Sequence, residues 1–166
     1  MGFYEVIAGK REDSPELQEC VNETLTKLGE EQTTISRPGI LLGKVQSGKT
    51  RAYLGVVALA FDRGYETAVI LTKGTKTLAK QTLKRVSDDF KAFIRADKVQ
   101  VFDIMNLPEN LTPYELNQKI IFVVKKEDDN LRRLIDAFTV QYPGLKNKRL
   151  LIIDDEADVA SLKFST

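Results

Sequence analysis

The sequence predicts an α/β fold with a mostly parallel sheet of five strands, or slightly more, and helices on both of its faces. Two observations carry this. Short apolar runs recur at 39–42 (GILL), 67–72 (TAVILT), 99–104 (VQVFDI), 119–124 (KIIFVV) and 149–153 (RLLII). Most are continuously apolar rather than alternating, as in strands buried on both faces. Segments with helical apolar spacing separate them, which is the order of a parallel sheet with crossover helices.

Each element has a local cause. Ser14-Pro15 reads as a cap followed by a first-turn proline; Leu17, Val21, Leu25 and Leu28 then fall at helical spacing, and Gly29 is the expected stop. GILL is a short buried strand. Residues 49–63 read as a helix ended by Gly64, and TAVILT is the second buried strand. Residues 76–94 form an expected helix with Leu78, Leu83, Val86 and Phe90 apolar, and VQVFDI alternates as a strand. Thr112-Pro113-Tyr114-Glu115 is a capping box with proline at the first helical position, so a short helix starts there. KIIFVV is a strand. Leu131, Leu134, Ile135 and Phe138 mark a helix ending near Pro143-Gly144, and RLLII closes the series. Residues 1–36 are expected to form a helical lead-in and residues 37–166 the α/β domain.

With 166 residues, 42% hydrophobic and 30% charged, the chain can bury one domain-sized core. Its single cysteine, Cys20, allows no intrachain disulfide and no multi-cysteine metal motif. With no histidine, Ser-His-Asp and Cys-His chemistry are excluded, and a zinc site is not expected. No apolar run reaches membrane-spanning length and the first residues lack a signal-peptide core, so no membrane partner and a cytoplasmic location are expected. Gly2 is not read as an acylation site, because position 6 is Val. A net charge of +1 hides an asymmetry. Residues 1–36 carry −5, residues 37–98 carry +8, and residues 99–166 carry −2. The middle third could face a polyanion, although Lys80, Lys84, Arg85 and Lys91 also fit a plain solvated helix face.

Two stretches carry chemistry. Gly43-x4-Gly48-Lys49-Thr50 lies between an expected strand and an expected helix. Glycines there let backbone N–H groups turn toward phosphate oxygens, and the helix N-terminus adds its dipole. Lys49 would reach the β- and γ-phosphates and Thr50 would ligate Mg²⁺. The last strand delivers Asp154-Asp155-Glu156-Ala157-Asp158 at its C-terminal end. One aspartate there can serve Mg²⁺, and the glutamate is placed to activate a water. ATP and Mg²⁺ are the cofactors this pair of motifs implies.

GKVQSGKT, TKTLAKQT and DDEAD stand in the order of motifs I, Ia and II of superfamily-two helicases and translocases. The chain resembles the first RecA-like domain of those motors, a phosphate-loop NTPase fold, over roughly residues 37–161. VQSGKT, VVKKEDDNLRRLI and IIDDEADVAS look closer still to the Z-one domain ATPases, which accompany endonucleases and restriction-type systems. The resemblance implies that Gly43, Gln46, Ser47, Gly48, Lys49 and Thr50 form the phosphate loop, with Arg51 at its helical end. It makes Asp155 the Mg²⁺ partner, Glu156 the catalytic base and Asp158 a link to neighbouring motifs. Asp154, directly before, competes for the metal role. Thr75 and Lys76 would touch a nucleic-acid backbone, DNA ahead of RNA, although Thr75 equally fits a helix N-cap.

This sequence departs from the family in places. The Thr-Pro that many helicases use after the fourth strand is replaced by Lys125-Lys126, and neither Gln18 nor Gln32 stands at a convincing spacing for an adenine-reading glutamine. The family completes its site with an arginine from a second RecA-like domain. Arg51 sits inside the helix after the loop and is expected to aim away from the γ-phosphate. The chain stops eleven residues beyond Asp155, so it is expected to be the C-terminally truncated first part of a longer motor, near-inactive alone. The alternatives are a nucleotide-dependent interaction switch, an ATPase serving a nuclease and, with less support, a nucleoside or nucleotide kinase.

Overall fold

The structure, a computed structural model, describes residues 1–34, 36–39 and 48–155. It divides into two compact units, Met1–Gly64 and Tyr65–Thr166. Residues 40–42 of the first expected strand lie outside the described residues.

The first unit is built on α1 (Phe3–Arg11), α2 (Pro15–Glu30) and α3 (Lys49–Asp62). α2 starts as its sequence predicts: the Ser14 hydroxyl accepts from the Leu17 N–H at 3.3 Å, and Pro15 takes the first helical position. It runs past Gly29 to Glu30. α1 falls within the helical lead-in expected over 1–36, though no separate helix was read there. Its start is held by Asp62, whose carboxylate accepts from the N–H groups of Phe3 (2.7 Å) and Tyr4 (3.0 Å). Tyr4, Ile7 and Ala8 bury one face of it. α3 is buried at nearly every position from Ala52 to Phe61. At Gly55 a Cβ would stand 2.8 Å from Val21 and 3.1 Å from the Tyr4 ring, so α1 and α2 approach α3 closely there. Gly64, at φ +89°, ends the segment where expected.

Among the described residues, the second unit holds a four-stranded, all-parallel sheet of β1 (Thr67–Thr72), β2 (Val99–Asp103), β3 (Lys119–Lys125) and β4 (Leu150–Asp154), in the order β2-β3-β1-β4. β1 pairs Val69 with Phe122 of β3 and with Ile152 of β4. The two central strands are buried almost throughout, which explains their continuous apolar runs. One sheet face gathers Val69, Ile120, Phe122 and Val124 with Ile104, Ala137, Tyr142 and Leu145. Leu131 and Leu134 of α7 (Asp128–Asp136) and Phe138 just beyond it pack on this face. Strand alternation puts Ala68, Ile70, Ile121 and Val123 on the other face, all buried. α4 (Lys76–Asp89) carries the β1-to-β2 crossover and contacts all three of β1, β2 and β3. The crossovers β1-to-β2 and β3-to-β4 run in opposite directions along the sheet. Right-handed connections therefore lay α4 and α7 on opposite faces.

Three details differ from expectation. The helix expected over 76–94 breaks at Phe90, whose fully buried ring anchors the turn into α5 (Lys91–Arg95). Leu78 and Ile135, expected on apolar faces, are exposed. α7 gives way after Asp136 to a wider π-helical turn, Ala137–Gln141. That turn rotates Phe138 onto Phe122, with ring centroids 5.6 Å apart. The capping box forms in full at α6 (Pro113–Leu116).

Candidate functional site

The described end of the glycine-rich stretch is the entrance of α3. Gly48 is the N-cap at φ +97° and ψ −11°, the left-handed region, where a side chain would be strained. Lys49, Thr50 and Arg51 fill the first turn. It holds no acidic residue, and the N-cap supplies no side-chain hydrogen bond. The first N–H groups of any helix lack intrahelical acceptors, and the macrodipole puts partial positive charge there. Of the two cations on that end, Arg51 meets a carboxylate from upstream, Asp13. The first-turn N–H groups and Lys49 form a donor set that fits a phosphate group. Gly43, Gln46 and Ser47 lie outside the described residues.

Arg51 turns elsewhere. Its Nη2 reaches Asp13 Oδ1 at 3.0 Å and also donates to the main-chain oxygen of Arg11. Asp13 is buried and bound as well by the Arg11 guanidinium, through Nε at 3.1 Å and through Nη2. Burial pushes the Tyr4 phenol up from its ordinary pKa, and the Asp13 charge pushes it further. Asp13 and Arg11 carry no motif, so the sequence pointed to neither. An open cavity of about 810 Å³ beside them is lined by Glu5, Glu12, Asp13 and Asp62. Its acidic wall repels a phosphate.

In the second unit the chemistry collects at the C-terminal edge of the sheet. β4 ends at Asp154, paired in register with Leu71. The Asp155 N–H donates to the Leu71 oxygen at 2.9 Å, extending the ladder by one bond. The Asp154 carboxylate is held by Lys126 Nζ at 2.7 Å. Asp154 is therefore paired with a cation. Glu156 and Asp158 lie outside the described residues. Among the described residues no group of three or more Asp, Glu, Cys or His side chains is gathered to hold a metal. A Mg²⁺ shared with a nucleotide needs fewer protein ligands than that.

Neighbouring strands β1 and β3 send their connections to opposite faces, and the usual ligand position in such sheets lies beyond the C-terminal ends of strands so related. Thr72, Lys125 and Lys126 stand at those ends. The Lys126 N–H donates to the Thr72 oxygen at 2.7 Å, while the Thr72 hydroxyl is buried with no hydrogen-bond partner among the described residues. Just beyond Thr72, Gly74 adopts φ +92° and Thr75 caps α4, its hydroxyl accepting from the Leu78 N–H at 3.4 Å. Lys76 follows at the first helical position, exposed.

Compared with known proteins, the chain matches no family model, no curated protein and no solved structure. Among the described residues, no helix is long and apolar enough to cross a membrane.

Proposed function

We propose that the chain is the ATP-binding first motor domain of a nucleic-acid-directed ATPase, a RecA-like phosphate-loop domain. The observation that carries the reading is the entrance of α3. GKVQSGKT enters the helix through a left-handed Gly48, into a first turn with two cations, no acid and no cap. The parallel strand that ends in Asp154-Asp155, with Glu156 next in sequence, supports it.

In this reading Lys49 binds the β- and γ-phosphates, and first-turn N–H groups bind the oxygens beside it. Thr50 and Asp155 would hold Mg²⁺, which neutralises phosphate charge when bound. Asp155 takes the metal role by its place in the motif, with Asp154, which Lys126 engages, directly before it. Glu156 accepts a proton from the attacking water as the water oxygen bonds to the γ-phosphorus and ADP leaves. Arg51 is not the arginine finger, since Asp13 and the Arg11 carbonyl hold it. That charge must come from a second RecA-like domain, and such fingers are worth about 10³–10⁵ in rate. DNA contacts are assigned to Thr75 and Lys76.

The test is ligand-dependent melting. Mg-ATP at 100 times its Kd adds about 2.7 kcal/mol to stability. In a domain of this size that raises Tm by about 5–10 °C. Lys49→Ala should abolish the rise. An equal rise in the variant would remove the phosphate-loop assignment.

A further inference from the structure

We propose that Asp13 is a positioning residue for the phosphate loop: its buried carboxylate binds Arg51 and thereby fixes the first turn of α3, from which Lys49 and Thr50 project. The proposal rests on the ATP-binding reading and adds a residue that no motif contains.

The geometry is specific. Asp13 lies in the turn between α1 and α2, after Glu12 at φ 53°. Its own backbone is pinned on both sides. Its N–H donates to the Ala8 oxygen at 3.0 Å, and its oxygen accepts from Gln18 Nε2 at 2.8 Å. Its side chain has no exposed surface. A carboxylate so placed needs cationic partners, because burial without them is strongly unfavourable. Arg11, itself almost fully buried, would suffice as that partner. Arg51 is the addition. Its side chain is half exposed and could extend into water, yet one nitrogen bonds both the Asp13 carboxylate and the Arg11 carbonyl. It is the residue directly after Thr50 and the third of α3.

This contact does two things. A helix N-terminus normally carries its compensating acid in its own first turn. Here the acid comes from 38 positions upstream, on a turn rigidly tied to α1 and α2. The first turn of α3 is therefore held from outside. The contact also commits Arg51 to a carboxylate, leaving Lys49 as the first-turn cation that Asp13 does not engage.

The experiment measures the Kd for Mg-ATP by calorimetry, and Tm without ligand, for the whole chain and for Asp13→Asn, Arg51→Met, the double variant and Lys49→Ala. Each of Asp13→Asn and Arg51→Met should weaken binding roughly tenfold, and the double variant should be no weaker than either, since one contact is removed each time. Unchanged Kd with lowered Tm would make the contact purely structural and overturn the proposal. Weakening by Arg51→Met alone would mean that Arg51 touches the nucleotide itself, and would also overturn it. If Asp13→Asn does not fold, Asp13→Ser takes its place in the same comparison, and a Kd within twofold of the unaltered chain for that variant or for Arg51→Met overturns the proposal. Lys49→Ala separates the two readings. Loss of binding there, with no effect at Asp13 and Arg51, sinks only this inference, whereas binding that survives Lys49→Ala sinks the phosphate-loop assignment and this inference with it.

Discussion

α3 and α4 both begin just after a sharp turn at a glycine, both carry lysine at the first helical position, and neither has an acid in its first turn. Their entrances are nonetheless chemically opposite. At α4 the glycine, Gly74, stands one residue earlier and leaves the N-cap to Thr75, whose hydroxyl bonds the Leu78 N–H. At α3 the glycine is itself the N-cap and has no side chain with which to bond the first turn. α6 lies at the other extreme. Thr112 and Glu115 cap each other's N–H groups, and Pro113 removes a further orphan donor. The three entrances form a series from no cap to a complete one. What a capped entrance satisfies within its own sequence, the α3 entrance leaves to something else. That difference points to an anion at α3 rather than at α4 or α6.

Gly48→Ala tests the open end of the series and has the largest expected effect on the protein alone. At φ +97° a Cβ costs about 1–2 kcal/mol of backbone strain. Among the described residues no atom within 4 Å would meet it, so the expected cost is the backbone strain. Urea denaturation should show a loss in that range, together with weaker Mg-ATP binding as the loop leaves its conformation. A variant as stable as the parent would mean that the left-handed turn is not what opens this entrance.

Thr75→Ala tests the singly capped helix. Removing a threonine cap costs about 1 kcal/mol. Denaturation should register that loss, and the ATP-dependent rise in Tm should persist. The proposed contact to nucleic acid adds a second measurement. Phosphate contacts make affinity fall steeply with salt, so a further Lys76→Ala should flatten the salt dependence by about one unit of log–log slope. An ATP response lost on Thr75→Ala would contradict the contrast between the two entrances.

The same series shows what can be read from residue order. Ser14-Pro15 and Thr112-Pro113-x-Glu115 were legible because every atom of the cap lies within four residues. TAVILT was legible to its ends because a strand buried on both faces is apolar throughout. The start of α1 was not, since its cap, Asp62, comes from 58 and 59 residues away. The break at Phe90 was hidden for a related reason. Its apolar position suits a continuing helix equally well, and only tertiary burial of the ring selects the turn. In the candidate site, Lys49, Thr50 and Asp155 announce themselves by motif. Asp13 acts through space on Arg51, and nothing in local order marks it. The strand 39–42, Gly43, Gln46, Ser47 and Glu156 rest on sequence, since all of them but Gly39 lie outside the described residues.

The smallest effect belongs to the most complete cap. Glu115 accepts from the Thr112 N–H at 2.7 Å and the Thr112 hydroxyl at 2.8 Å. These bonds, the backbone one first, hold its carboxyl below the ordinary value of 4.5. A carboxyl whose pKa is lower folded than unfolded adds stability above its unfolded pKa. It loses that contribution as pH falls through the folded value. The group is fully exposed, so solvent screening keeps the contribution small. Melting the parent and Glu115→Gln side by side should therefore show a modest gap at pH 7 that closes as pH falls through the lowered folded pKa of Glu115, below which both side chains are neutral. Because α6 is capped from within its own turn, Mg-ATP should leave that gap unchanged, in contrast to the effects expected at Gly48. A gap that widened in acid would reverse the sign of the linkage and show that the carboxylate does not stabilise this entrance, removing the capped end of the series against which α3 is read.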